Sequence, residues 1–150
     1  MITLEKVLYT AKAHTMGGRE GGSSRTDDGR LEVKLSDPGK PGTGTNPEQL
    51  FAVGWSACFL SAVKLIAGKK KVTLPDEVTV DAEIDLGVAQ GGYHLAARLT
   101  VGLPGMEEET ARSMVQAASE ICPYSRVTKG NIDVNYSVNV LSPAGQMQHA

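Results

Sequence analysis

Residues 46–65 read NPEQLFAVGWSACFLSAVKL, and the way this stretch folds decides the architecture around it. Asn46 is suited to an N-cap and Pro47 to the first helical position. At 100° per residue, Phe51, Trp55, Phe59, Ala62 and Ile66 share one face with Glu48 at its N-terminal end. Leu50, Val53, Ala57 and Leu60 line the opposite side, and only Ser56, Ser61 and Lys64 interrupt the apolar surface. The pattern predicts a helix running to about Gly68, a natural stop. A helix that is apolar nearly all round must be covered nearly all round. One small antiparallel sheet covers one side, so a second helix and another subunit are expected to supply the rest.

Upstream of this helix, residues 3–13 alternate and predict a strand. The run GGREGGSSRTDDG (17–29) is rich in turn formers and reads as a loop, and RLEVKLS (30–36) alternates as a second strand. DPGKPGTGTNP (37–47) connects that strand to the helix. Downstream, residues 77–87 and 93–103 are strand candidates joined through AQGG (89–92) as a hairpin. PGMEEETARSMVQAASEIC (104–122) begins with a turn and acidic residues, then places Ala, Met, Val and Ile at helical spacing. CPYSRVTKGN (122–131) reads as a short connector and IDVNYSVNV (132–140) as a last strand, with a flexible tail over 141–150. The order ββ-α-ββ-α-β describes an α+β domain, mainly antiparallel, spanning 1–150 as one unit.

Composition narrows the function. With 41% hydrophobic and 21% charged residues and a net charge of −2, the chain is of ordinary globular type. It offers no electrostatic reason to bind nucleic acid or an anionic membrane. Glu5 and Lys6 interrupt what a secretory leader would need as an apolar core, and no run is expected to approach the length of a membrane span. A cytoplasmic location is expected, where structural disulfides are uncommon.

Two cysteines therefore carry the interest. Cys58 lies some ten residues into the helix, beyond the reach of the N-terminal dipole, and burial alone would leave its thiol inert. Taken alone, it reads as a small core residue. Cys122 precedes Pro123, which ends or redirects the preceding helix, so this second thiol lies at a junction. The pair forms no C-x-x-C turn, and His14, His94 and His149 fall in no metal-binding spacing. GTGTNP lacks the third glycine of a dinucleotide fingerprint, and no phosphate-loop motif occurs. Arg19 stands between glycines in MGGREGG, a setting for a mobile loop or simply an exposed side chain. Glu48 is the odd acid on the apolar face. It either favours the helix start by its charge or pairs bidentately with a guanidinium.

Three segments in order, GGREG, NPEQLFAVGWSACF and CPYSRVTKGNIDV, resemble the organic hydroperoxide resistance proteins of the Ohr/OsmC superfamily over about residues 3–140. The resemblance implies an OsmC-like fold, an intertwined homodimer and a cysteine-dependent peroxidase with no cofactor and no metal. It assigns Cys58 as the peroxidatic cysteine, Cys122 as the resolving one, and Arg19 and Glu48 as the activating pair. CPYS is similar to the organic hydroperoxide branch, which implies an organic hydroperoxide as substrate and a lipoyl dithiol or lipoylated protein as reductant. Trp55, where a smaller aromatic is expected, and the longer tail depart from the pattern. Two other classes use the same features: a noncatalytic carrier of an apolar ligand, and a structural dimer with inert thiols.

Overall fold

The computed structural model of the chain describes residues 1–141. The expected flexible tail therefore falls, beyond Leu141, outside the described residues. By internal contacts the chain resolves into two compact units, 1–47 and 48–150.

The first unit holds a three-stranded antiparallel sheet, β1 (Ala13–Met16), β2 (Ser23–Thr26) and β3 (Glu32–Lys34), in that order. Two expectations change here. Residues 3–12 are not in a strand, although they alternate, and β1 starts only at Ala13. Pairing defines a strand, and alternation alone does not supply it: residues 3–12 enter no ladder of the β1-β2-β3 sheet, and Leu8 and Tyr9 stand exposed. The supposed long loop over 17–29 contains β2, a short polar strand between two turns. Polar residues serve there because two of the four are exposed, the other two are only half-buried, and the ladder holds them.

The second unit opens with α1 (Pro47–Lys70), the predicted long helix. It passes Gly68 and ends by another route. Lys71 takes a left-handed conformation (φ 55°), and its amide donates to the Gly68 carbonyl at 3.3 Å while the Val72 amide donates to the Ala67 carbonyl at 2.9 Å. This crossed pair is a Schellman cap, here formed without glycine. By length and mean apolarity alone α1 is long enough to cross a membrane, contrary to the expectation that no run approaches that length. Its Trp55, Phe59, Val63, Ile66 and Ala67 instead belong to the core of the unit.

That core is closed by a second sheet of order β4-β5-β6, made of β4 (Thr79–Ala89), β5 (Gly92–Gly102) and β6 (Asp133–Asn139). The β4–β5 hairpin turns through Gln90 and Gly91, both at positive φ, the twist that a two-residue hairpin turn requires. Strict alternation puts Val80, Ala82 and Ile84 opposite Val101, Leu99 and Ala97, and these in turn beside Val138, Tyr136 and Val134. All of these nine residues join the core cluster. The outer face is polar, with Arg98 gripping Asp85 by two 2.8 Å hydrogen bonds. The β5–β6 ladder is parallel, made possible by the intervening helices.

Those helices are α2 (Glu108–Ile121) and α3 (Pro123–Thr128). On α2, Ala111, Met114, Val115 and Ala118 form the predicted buried stripe, and Cys122 continues it just past the helix end. The short helix α3 replaces the expected connector, so the observed order is βββ-α-ββ-αα-β within the expected α+β class.

Lys71 supplies the test of this account of α1. A non-glycine residue in the left-handed region is disfavoured by about 1–2 kcal/mol, partly offset by the greater unfolded-state freedom of glycine. Lys71→Gly should therefore raise unfolding stability by about 0.5–1 kcal/mol, measured by urea denaturation. A loss of stability would contradict the cap.

Candidate active site

Pro123 organises the site. It cannot continue α2, and its ring excludes the helical conformation for the residue before it. Cys122 is accordingly extended (φ −65°, ψ 122°) and serves as C-cap of α2 and N-cap of α3, with Pro123 favourable at the first helical position. Its amide donates to the Ala118 carbonyl at 2.9 Å and its carbonyl accepts from the Arg126 amide at 3.0 Å. The backbone of Cys122 is thus held from both sides.

The segment 122–125 lies on one face of α1, the face of Phe51, Gly54, Trp55 and Cys58. Tyr124 packs against Phe51, ring centroids 5.8 Å apart, and Phe51 stacks on Trp55 at 5.4 Å. Gly54 leaves room for the Tyr124 ring; a Cβ there would come within 3.3 Å of the phenol oxygen. Trp55 Nε1 donates to Ser125 Oγ at 3.1 Å, and Tyr136 Oη donates to the same oxygen at 2.8 Å.

These contacts bring the two cysteines together. Cys122 Sγ lies 3.7 Å from Cys58 Sγ although 64 residues separate them in sequence, and both thiols are free. Their exposures differ from the expectation of a deeply buried Cys58. Cys122 is fully buried, whereas Cys58 is only partly so. The reason is its place at the margin of the packed face, between core residues and the exposed Val53 and Ala57.

Burial pushes the Cys58 thiol above the ordinary range, and the adjacent Cys122 sulfur adds to this, because two thiolates so close repel. The Tyr124 amide hydrogen-bonds the Cys58 sulfur and acts in the opposite direction, though more weakly. Tyr136 is likewise pushed up by burial, against the lowering by Ser125.

Glu48 stands in the first turn of α1, half-buried. Ten residues of helix separate it from Cys58, about 15 Å along the axis, so it can influence that sulfur only through a bridging group. Arg19 belongs to the first unit, half-buried in a turn over residues 17–22. The Gly22 amide donates to the Gly18 carbonyl at 3.0 Å, and a Cβ on Gly22 would fall 2.2 Å from the Met16 carbonyl oxygen. Glycine is obligatory there, and the arginine sits on a folded turn rather than a slack loop.

Sequence reading missed Gly54, Tyr124, Ser125 and Tyr136, and treated Trp55 only as a departure from a pattern. A signal existed for the first three. Gly54 and Trp55 share the Cys58 face, and CPYS begins with proline at a helix N1 position. The Tyr136 contact crosses from β6 and had none.

Residues 38–137 match the family model described as OsmC-like protein. An organic hydroperoxide resistance protein of Xanthomonas axonopodis pv. citri is 44% identical over 142 residues, covering 92% of this chain and 99% of that one. Among solved structures, OhrB of Bacillus subtilis, an organic hydroperoxide resistance protein, is 36% identical with a TM-score of 0.83, covering 89% of this chain and all of that one. An organic hydroperoxide resistance protein from Legionella pneumophila is 40% identical with a TM-score of 0.84, covering 90% of this chain and all of that one.

The raised Cys58 thiol has a consequence for stability against pH. The unfolded thiol ionises near pH 8.5, before the folded one, so the unfolded state gains as pH rises through that range. The contribution is fully present below the unfolded value and is lost as pH climbs toward the folded one. Reduced wild type should lose more stability than Cys58→Ser between about pH 7.5 and 9.5, read from urea midpoints. A smaller loss in wild type would mean that a cation outweighs burial at this sulfur.

Proposed function

Because the chain belongs to the OsmC-like protein family, among the organic hydroperoxide resistance proteins, we propose that it is a thiol peroxidase reducing alkyl and fatty-acid hydroperoxides to alcohols. The observation that carries this reading is the 3.7 Å approach of the Cys58 and Cys122 sulfurs, one of them accessible and the other buried behind it. In the first step the Cys58 thiolate attacks the peroxide. An S–O bond forms, the O–O bond breaks, the alkoxide takes a proton and leaves as alcohol, and Cys58 becomes a sulfenic acid. The Cys122 sulfur then attacks Cys58, and the hydroxyl departs with the thiol proton as water. A lipoyl-type dithiol, free or carried on a protein, reopens the resulting disulfide and is itself oxidised to a cyclic disulfide. One hydroperoxide and one dithiol are consumed per cycle.

On the strength of the family resemblance, Arg19 is assigned to the peroxide and Glu48 to holding its guanidinium in a bidentate fork. Magnitudes decide what that arginine does. Lowering a thiol pKa from about 8.5 to about 6 raises the thiolate at pH 7 from about 3% to about 90%. The accompanying loss of nucleophilicity is about tenfold, so the net gain is a few-fold at most. Burial of Cys58 works against even that. The larger contribution is hydrogen bonding to the peroxide oxygens as charge develops on the leaving one.

The apolar surroundings of Cys58, with Phe51 and Trp55 nearby on the same helix face, favour an alkyl chain over hydrogen peroxide. Exposed Val53 and Leu65 on α1 and the exposed apolar residues of 1–12 support a homodimer that covers them. A cytoplasmic location suits a pair of thiols that must return to the reduced state.

Single-turnover chemistry tests the assignment. Cys58→Ser should abolish hydroperoxide reduction, whereas Cys122→Ser should consume one equivalent, yield a sulfenic acid trapped by a dione reagent, and form no intramolecular disulfide. The opposite pattern reverses the two roles, and rapid peroxide loss in neither variant nor wild type removes the activity altogether.

Arg19→Lys separates charge from the planar fork. Its kcat/KM should fall by about 10²–10³, and the deficit should persist at a pH where Cys58 is fully ionised. Recovery of the wild-type rate at that pH would reduce Arg19 to a pKa effect.

A further inference from the structure

The side chain of Ser125 is buried, yet it takes no part in the chemistry described above. Its Oγ accepts two hydrogen bonds at once, from Trp55 Nε1 on α1 at 3.1 Å and from Tyr136 Oη on β6 at 2.8 Å. An indole N–H can only donate, so Trp55, itself fully buried, depends on that oxygen. Ser125 thereby joins three elements at one atom. It sits one turn of α3 beyond Cys122, whose carbonyl caps the same turn through the Arg126 amide. On the other side of the joint, Trp55 lies one turn of α1 before Cys58. The hydrogen bond from Trp55 to Ser125 therefore spans the two elements that carry the two sulfurs.

From this arrangement we infer that Ser125 is a positioning residue that sets the closing distance between Cys58 and Cys122. The free sulfurs stand 3.7 Å apart, and a disulfide needs about 2.05 Å, so closure asks for a small and directed approach. The joint holds α3 against α1 from the side, while the Tyr124 ring fills the space above Gly54, leaving the Cys122 sulfur with Cys58 as its neighbour. Without the Ser125 hydroxyl the buried indole N–H loses its acceptor, and the segment 122–125 must shift or accommodate water. The thiol pair then loses effective concentration.

In the proposed cycle, on which this consequence alone rests, slower closure prolongs the sulfenic acid. Each turnover in the presence of excess hydroperoxide then yields more sulfinic acid at Cys58.

The test begins with thiol equilibrium and needs no peroxidase activity. Reduced full-length protein is equilibrated with mixtures of glutathione and glutathione disulfide, and the Cys58–Cys122 disulfide is quantified by mass after acid quenching. Glutathione disulfide accepts the two electrons and becomes two glutathiones. Ser125→Ala should lower the disulfide-to-dithiol ratio at least tenfold, equivalent to about 30 mV. Tyr136→Phe, which removes one donor and leaves the Trp55 bond, should lower it by a smaller factor of about three. A purely structural role would weaken both redox states equally, shifting the urea midpoint and leaving the ratio unchanged. A ratio within twofold of wild type for folded Ser125→Ala overturns the inference. Should that variant fail to fold, Tyr136→Phe decides on the same twofold criterion. With an organic hydroperoxide, Ser125→Ala should slow closure at least tenfold more than it slows sulfenic acid formation, followed by the fluorescence of Trp55, the single tryptophan of the chain. If wild type consumes no hydroperoxide, the proposed peroxidase fails while the glutathione equilibrium still decides the role of Ser125.

Discussion

Pro123 has no amide hydrogen, and its ring denies the helical conformation to Cys122, so α2 stops at Ile121 and the chain turns. The rest of the site depends on that turn. The same proline starts α3, whose first residues lie on the Phe51–Gly54–Trp55–Cys58 face of α1. A continuous helix through position 123 would carry Tyr124 and Ser125 along the α2 axis, away from this arrangement. Cys122 would remain buried, as the next member of the Ala111–Met114–Val115–Ala118 stripe, but without the docked segment that pairs it with Cys58.

The partition of α1 follows from what the second unit can cover. Trp55, Phe59, Val63 and Ile66 are enclosed with the inner face of the β4-β5-β6 sheet and the stripe of α2. Val53 and Leu65 are left exposed, together with apolar residues of the segment 1–12. A cysteine at the edge between the enclosed and open faces is reachable from solvent and still adjacent to a buried partner. Accessibility and low polarity thus coexist at Cys58 because the helix is covered on one side only. The same burial raises its thiol, so in the proposed cycle stabilisation of the departing oxygen counts for more than a larger resting thiolate population.

The buried polar joint of Trp55, Ser125 and Tyr136 is consistent with this division. A tryptophan in the core needs an acceptor for its N–H, and Ser125 supplies it from the segment that carries Cys122. The bulk of Trp55, a departure from the smaller aromatic expected at that position, is thereby tied to the element whose placement matters for the second thiol. Packing of the tryptophan and placement of the thiol are met by one interaction.

By itself the sequence determined those features whose cause is local. Apolar spacing in residues 46–65 specified α1, strict alternation with AQGG specified the β4–β5 hairpin, and the Ala-Met-Val stripe specified α2. The three quoted segments were enough to identify the family. Tertiary structure decided what depends on partners distant along the chain. The alternating run 3–13 yields β1 only from Ala13, because strand pairing is a property of two segments and not of one. The polar strand β2, the parallel β5–β6 ladder and the six-residue α3 have too short or too mixed a pattern to declare themselves. Gly68 looked like the end of α1, but the hydrogen bonds of Lys71 and Val72 end it instead. The family resemblance, and not spacing, nominated Cys58 and Cys122 as a pair. Their 3.7 Å separation across 64 residues comes from the docking of α3 on α1, a packing geometry that periodicity along one segment cannot encode.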